Sequence, residues 1–180
     1  MKFYQVFEDD NNYMTVYFDP DEVEDKRGDD DFTIFTTPQA YASDWVPLEL
    51  SIKACDSPPV IPAISTWLNY LVLHESAYKA LEGMLGPYGE FLPCTYQGAK
   101  FYLFNPLTIA EDLDAVMPGS VTKDDGLLAS IAFDEEKLKD TPVFRTKESY
   151  ICIYCTEAFK NLVEKEKLEG LRFSAKLAHV

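Results

Sequence analysis

Two segments of the sequence share an order of elements that strongly limits the possible folds. In the first, the apolar run at residues 71–73 predicts a buried strand, and Glu75–Leu85 carries apolar residues at helical spacing. The sequence at 86–89, Gly-Pro-Tyr-Gly, predicts the end of this helix. Residues 90–95 and 100–104 then predict two strands joined by a turn. The segment is therefore expected to form a strand, a helix and two further strands.

The second segment repeats much of this order near the C-terminus. Residues 151–154 predict a strand, Thr156 is a suitable N-cap, and residues 171–174 predict another strand. The apolar stripe of the intervening helix is expected at Ala158, Phe159, Leu162 and Val163, with Gly170 as the helix breaker. An overlay at a spacing of 81 residues places Ala77, Leu81 and Gly89 on Ala158, Leu162 and Gly170. Both an internal duplication and a chance similarity of two ordinary units fit this pattern.

The N-terminal part predicts further strands and a long acidic loop. Residues 2–7 and 13–18 are rich in aromatic and β-branched side chains, and the turn composition of residues 9–12 favours a hairpin. Residues 20–31 are interpreted as an acidic loop, residues 32–36 as a short apolar run, and residues 48–55 as a half-buried strand. Three prolines within residues 57–62 exclude regular structure there and mark a boundary.

Between the two units, residues 130–133 and 142–146 predict strands, and Asp134 is expected to cap a short helix. The whole pattern predicts an α+β fold with a mixed, largely antiparallel sheet, a few helices and two related strand-helix-strand units. We expect one domain over residues 1–180. It would comprise an acidic N-terminal subregion at 1–62 and the two units at 63–180.

The charge is strongly negative and unevenly distributed. The 180 residues carry a net charge of −15, and residues 1–31 hold eleven acidic and three basic residues, a net charge of −8. Such a field repels nucleic acid and anionic lipid and attracts a basic protein or a cation. A solvated acidic loop is the alternative interpretation. If the acids bind a partner, the candidate residues are Asp19, Asp21, Glu22, Glu24, Asp25, Asp29, Asp30 and Asp31, together with Trp45.

The aromatic residues allow two interpretations as well. Trp45, Trp67, Tyr88 and Tyr96 could anchor an interface, although burial in the core is the commoner fate of such residues.

For each motif that could carry chemistry, a purely structural role explains the residues better than a catalytic or metal-binding one. Cys152 and Cys155 have a CxxC spacing, but a zinc site needs four ligands, and the other candidates (Cys55, Cys94, His74 and His179) are scattered. Core thiols are favoured over a metal or redox site, and we predict no cofactor. His74 is expected to be a surface or capping residue. The acids near Asp19 do not form an EF-hand, because Val23 stands where an oxygen ligand is needed.

The sequence contains no apolar run of about 18 residues that would span a membrane. Its start lacks the basic, apolar and small-residue regions of a signal peptide. A cytoplasmic location with reduced thiols is expected.

An ordered series of short segments resembles a known family. These are the strand-helix at 71–85, EFLP at 90–93, FYLFNPL at 101–107, IAEDLDA at 109–115, IAFDEEKL at 131–138, PVFR at 142–145, residues 151–162 and GLRF at 170–173. In this order and spacing they resemble the immunity proteins of bacterial polymorphic toxin systems, specifically the eleventh numbered immunity family. The resemblance covers residues 65–175, with a weaker similarity at residues 1–4. The acidic stretch at 19–31 is not part of the family pattern.

The resemblance implies a non-catalytic protein that binds and neutralises a cognate secreted toxin, delivered by a type VI or contact-dependent apparatus. It implies no catalytic residues. The expected partner is a basic toxin, such as a nuclease, with no nucleic-acid or membrane partner and with a monomeric or homodimeric state. The alternatives are a small enzyme or metal-binding protein with an unrecognised site, and a structural component of a secretion machine.

Overall fold

The described residues confirm an α+β fold. The computed structural model describes residues 1–28, 38–53 and 60–178, so the apolar run at 32–36, Cys55 and His179 lie outside the described residues. The strands are β1 (Phe3–Glu8), β2 (Thr15–Phe18), β3 (Leu48–Lys53), β4 (Ile64–Trp67), β5 (Tyr70–His74), β6 (Gly89–Tyr96), β7 (Ala99–Pro106), β8 (Thr122–Asp124), β9 (Leu127–Ser130), β10 (Val143–Thr146), β11 (Ser149–Thr156) and β12 (Leu171–Ser174). The helices are α1 (Pro20–Arg27), α2 (Glu75–Leu85), α3 (Glu135–Leu138) and α4 (Glu157–Lys165), with 3-10 turns at Gly86–Tyr88 and Ala110–Leu113.

These strands form three sheets within the described residues. The largest has six strands in the order β2-β3-β6-β7-β5-β4, and its neighbours are antiparallel except for the parallel pair β3 and β6. A second sheet has four antiparallel strands in the order β10-β11-β1-β12. A small hairpin of β8 and β9 forms the third. The mixed but largely antiparallel pairing agrees with the sequence prediction.

In each predicted strand-helix-strand unit, the two strands that flank the helix are separated by a third strand, which is antiparallel to both. In the first unit, β7 pairs with both β5 and β6. In the second, β1 pairs with both β11 and β12, although β1 lies at the opposite end of the chain. The two units therefore have the same arrangement, while the inserted strand comes from different places in the sequence.

The overlay of the two units is shifted by one residue from the spacing that the sequence suggested. The buried positions of α2 include Ala77 and Leu81, and those of α4 are Phe159 and Val163, which lie 82 residues further along. Ala158 is exposed, so its predicted place in the apolar stripe is wrong. Side chains four residues apart share a helix face, and burial selects the pair that faces the sheets.

Three groups of buried side chains fill the space around the two large sheets. The first lies between the sheets and under α2 and α4, and includes Leu71, Leu73, Phe104, Ile153 and Phe159. The second covers the other face of the six-stranded sheet beneath α1. The third lies between the other face of the four-stranded sheet and the segment that carries α3, β8 and β9. Both large sheets are therefore buried on both faces.

The predicted hairpin of the first two strands is wrong. β1 and β2 belong to different sheets. The backbone amide of Asp9 donates to the carbonyl of Gly170, and that of Met14 donates to the carbonyl of Val60. The turn at residues 9–12 therefore carries the chain from one sheet to the other instead of pairing its flanking strands.

The predicted acidic loop at residues 20–31 is wrong as far as it is described, because Pro20–Arg27 is helical. The Asp19 carboxylate accepts a hydrogen bond from the amide of Asp21, and Pro20 occupies the first helical turn. Acids follow at the N-terminal end and Lys26 and Arg27 at the C-terminal end, as the helix dipole favours. With Val23 as its one buried residue, the helix has little apolar periodicity to reveal it.

Three further differences concern the ends of single elements. Thr156 occupies the N-cap position, but its hydroxyl makes no cap bond, and the first-turn amide of Glu157 donates to the carbonyl of Lys2. Helix α4 ends at Lys165, five residues before the predicted breaker Gly170. Lys167, just after the helix, adopts a left-handed conformation. At residues 130–133, only Ser130 belongs to a longer strand, while Phe133 forms an isolated antiparallel bridge with Val116. The Asp134 cap is confirmed by its hydrogen bonds from two α3 amides.

No helix within the described ranges combines the length and hydropathy that a bilayer crossing requires. The division into subregions 1–62 and 63–180 stays a prediction.

Gly170 gives a test of the contact between the two large sheets. An added Cβ would lie 2.2 Å from the Ile64 carbonyl oxygen, and the glycine has φ +123°. We expect Gly170→Ala to lower the free energy of unfolding by about 2–4 kcal/mol, through overpacking and backbone strain. Urea denaturation measures this change. Gly83→Ala is the control, because an added Cβ there meets open space. This substitution should stabilise α2 by about 0.5–1 kcal/mol. Equal midpoints for the two variants would contradict the tight junction.

Candidate binding surfaces and a buried polar network

Helix α1 carries four of the predicted partner-binding acids, and a fifth, Asp19, is its N-cap residue. Asp21, Glu24 and Asp25 are exposed on the side away from Val23, which packs into the second core group. Asp19 is occupied by helix capping. The Glu22 carboxylate accepts from Lys26 Nζ at 2.6 Å and from the Glu49 amide at 3.0 Å. The exposed acids are therefore available to a partner, whereas Asp19 and Glu22 also support the fold. Asp29, Asp30 and Asp31 lie outside the described residues.

Trp45 has an inward-facing role. Its indole Nε1 donates to the Pro93 carbonyl at 2.8 Å, and its ring lies against the second core group. The Arg27 guanidinium lies 5.3 Å from the Trp45 ring centroid and 5.2 Å from that of Tyr41. Trp45 thus ties the end of α1 to the six-stranded sheet. A contact between its remaining exposed edge and a partner stays a prediction.

The other aromatic residues proposed as anchors are half-buried. Trp67 stacks on Tyr70 with ring centroids 6.0 Å apart, and Tyr96 contacts Phe101 edge to face. These contacts favour the structural interpretation for both residues.

A buried polar network, which was not predicted from the sequence, joins strands that are distant along the chain. Arg145 Nη2 donates to Asn105 Oδ1 at 2.9 Å, and Asn105 Nδ2 donates to Glu90 Oε1 at 2.8 Å. The two Glu90 oxygens accept from the backbone amides of Tyr41 and Ala42. The network therefore holds residues 41 and 42 against the six-stranded sheet. Its only sequence signal is a polar residue inside each of two apolar strands.

Arg145 is the buried cation of this network, with 2% of its surface exposed. Burial lowers the pKa of Arg145 to about 10, because the charged form loses hydration. Its guanidinium lies 5.2 Å from the ring centroid of Tyr70, which partly compensates for the lost water. A buried charge held by neutral partners is costly unless its geometry is fixed. We infer that Arg145 gives the packing of β10 on the six-stranded sheet its specificity.

The CxxC cysteines occupy opposite faces of one strand. Cys152 and Cys155 are three residues apart in β11, so Cys155 packs in the first core group and Cys152 in the third. The Cys152 sulfur accepts from Gln5 Nε2 at 3.1 Å and from Ser149 Oγ at 3.0 Å. Burial raises the pKa of the Cys155 thiol, and it raises the pKa of Cys94 to about 12. This placement supports the interpretation as core thiols.

His74 is confirmed as a capping residue, since its Nδ1 accepts from the Ser76 amide at the start of α2. In the part of the chain that the structure describes, no group of three or more His, Cys, Asp or Glu side chains is arranged to hold a metal ion.

Comparison with known protein families finds a similarity over part of the chain. Residues 107–176 match the model of an immunity protein family. The family is Imm11, and the match confirms the resemblance found in the sequence, although it begins at Leu107 rather than residue 65. No curated protein matches the chain. The matched stretch contains Arg145, both CxxC cysteines and the segment with α3, β8 and β9, whereas α1 and Trp45 lie outside it.

The buried network predicts a local effect of Glu90→Gln. The substitution removes the charge and one acceptor oxygen, so a backbone amide at residue 41 or 42 loses its bond to a carboxylate. We expect the exchange of these amides with deuterium to accelerate roughly 10- to 100-fold. Hydrogen exchange followed by NMR measures it. Glu82→Gln on the exposed face of α2 is the matched control. Unchanged exchange at both amides would show that Glu90 does not hold this segment.

Proposed function

We propose that this chain is an immunity protein that binds a cognate secreted bacterial toxin and neutralises it by stoichiometric, non-catalytic interaction. The match of residues 107–176 to the Imm11 immunity protein family carries this proposal. Its partner is the toxin itself, with neither nucleic acid nor membrane as a partner. The chain acts in the cytoplasm as a monomer or homodimer, and the toxin is delivered by a type VI or contact-dependent apparatus.

The acidic face of α1 supports a basic toxin. Asp21, Glu24 and Asp25 are exposed together on an eight-residue helix, in a chain of net charge −15. A positively charged partner would be steered towards such a face before contact, which raises the association rate. A nuclease with a basic substrate groove has the charge that this face complements, because carboxylates there take the place of phosphates.

The direct test is rescue of cells from the product of the adjacent gene, which this proposal expects to be the toxin. We expect co-expression of the two proteins to restore growth that the toxin alone abolishes, because inhibitor binding in the cytoplasm blocks the toxin. A catalytically inactive toxin controls for the burden of expression. Loss of growth despite confirmed expression of both proteins in folded form would refute the immunity proposal.

The charge of α1 predicts a kinetic effect. We expect the triple variant Asp21→Asn, Glu24→Gln, Asp25→Asn to associate with the toxin roughly tenfold more slowly at low salt, with a nearly unchanged dissociation rate. The difference should shrink as salt is added, because salt screens exposed charges. Stopped-flow fluorescence measures both rates.

The matched control neutralises three exposed acids elsewhere, with Glu82→Gln, Glu164→Gln and Glu166→Gln on α2 and at the end of α4. Equal association rates for the two triple variants would rule out a special role of α1 and leave the immunity function unaffected.

A further inference from the structure

A groove of about 510 Å³ opens beside the 3-10 turn Ala110–Leu113, within the stretch that matches the immunity family. Its apolar lining consists of Val116, Met117 and Pro118. Met117 is 43% exposed, as is the neighbouring Leu113. Val116 packs against the third core group, so the floor of the groove is anchored in the interior. Methionine suits a binding surface because its unbranched, polarisable side chain adapts to its partner.

The rest of the lining is mainly acidic. Glu111, Asp114 and Asp134 face the groove together with one basic residue, Lys137. The Lys137 ammonium is engaged by the Asp114 backbone carbonyl at 2.8 Å. The surrounding segment, residues 107–140, holds nine acidic and three basic residues, a net charge of −6. An occupant that carries positive charge therefore fits this groove, and an acidic one does not.

The Glu111 carboxylate, which lines the groove, is anchored to the end of β10. Glu111 Oε1 accepts from the Thr146 hydroxyl and from the Lys147 amide. Its Oε2 atom is buried and has no hydrogen-bond partner among the described residues. Because this oxygen is buried, the Glu111 carboxylate fixes the groove wall to the end of β10 and adds negative charge there, while the exposed carboxylate of Asp114 is the one that a partner can reach.

The walls of the groove are fixed by backbone hydrogen bonds. The Ala115 amide donates to the Ala110 carbonyl at 2.8 Å, and the Asp134 amide donates to the Ala115 carbonyl at 2.8 Å. The Met117 amide donates to the Ala132 carbonyl at 2.9 Å. Because this backbone is already ordered, a partner that enters the groove does not need to order it.

We propose that this groove is the docking surface for a basic segment of the cognate toxin. The segment inserts an apolar side chain against Met117 and places a lysine or arginine side chain against Asp114, close to the negative charge of Glu111. The proposal rests on the immunity function proposed above and adds the contact surface and the chemistry of the toxin segment. It also separates two roles, because the groove holds the bound toxin, whereas α1 accelerates its approach.

The test compares two chemically matched double variants in binding to a catalytically inactive form of the toxin identified by the rescue experiment. The groove variant carries Met117→Ser and Asp114→Asn. Asparagine suits position 114, where φ is +50°, because it tolerates the left-handed conformation. The control variant carries Leu127→Ser and Asp124→Asn on the β8–β9 hairpin, which removes an exposed apolar side chain and a carboxylate outside the groove lining.

We expect the groove variant to raise the dissociation constant by at least 30-fold, mainly through faster dissociation. The control variant should change the dissociation constant less than threefold. Circular dichroism and urea denaturation should give wild-type curves for both variants, because the replaced side chains are exposed. Wild-type affinity in the groove variant, or equal losses in the two variants, would overturn the groove proposal. Absence of binding by the unmodified chain would instead refute the immunity function itself.

A second copy of this chain is the competing occupant. Analytical ultracentrifugation of the unmodified chain and the groove variant separates the two cases. A dimer that the groove variant abolishes, together with unchanged toxin affinity, would assign the groove to self-association and overturn the proposal.

Discussion

The pairing of β1 with both β11 and β12 is the contact on which the rest of the molecule depends. It places Phe3 opposite Thr156 on one side and Val6 opposite Phe173 on the other. Strands β11 and β12 of the second unit could not belong to one sheet without β1, because β1 lies between them. The pairing also joins the two ends of the chain, since the first strand lies between the last two strands.

The two large sheets meet where β12 begins. The Glu169 carbonyl accepts from the amides of Ala63 and Ile64, and the adjacent Gly170 leaves no room for a Cβ beside the Ile64 carbonyl. This junction orients the six-stranded sheet relative to the four-stranded one and lets α2 and α4 share a single core group. The Arg145–Asn105–Glu90 network then connects the same two sheets through polar contacts from the other side.

The two proposed binding surfaces lie outside this framework. Helix α1 packs through Val23 on the outer face of the six-stranded sheet and exposes its acids to solvent, and the groove beside Met117 belongs to the layer over the four-stranded sheet. Both surfaces are negatively charged, which suits one basic partner approaching a strongly acidic protein. A rigid groove with an apolar floor contributes to the lifetime of a complex, while exposed carboxylates contribute to the rate at which it forms.

The sequence by itself determined the elements whose signals are local. The bounds of α2 are as predicted, because apolar periodicity and the Gly-Pro sequence act within a few residues. The Asp134 cap, the His74 cap and most strands of the two units follow for the same reason. Helix α1 had only its Asp19 cap and Pro20 as local signals, and one buried residue is too few to show a periodicity.

Only the tertiary structure decided which strands are neighbours and which polar residues meet. Nothing local to residues 2–18 states that β1 pairs with strands about 150 residues away, so the hairpin expected from a favourable turn did not form. Arg145 and Asn105 are separated by 40 residues, and the groove joins Glu111 to Asp134 across an intervening hairpin. Such contacts depend on the free energy of packing whole sheets together, which the spacing of residues along one segment does not contain.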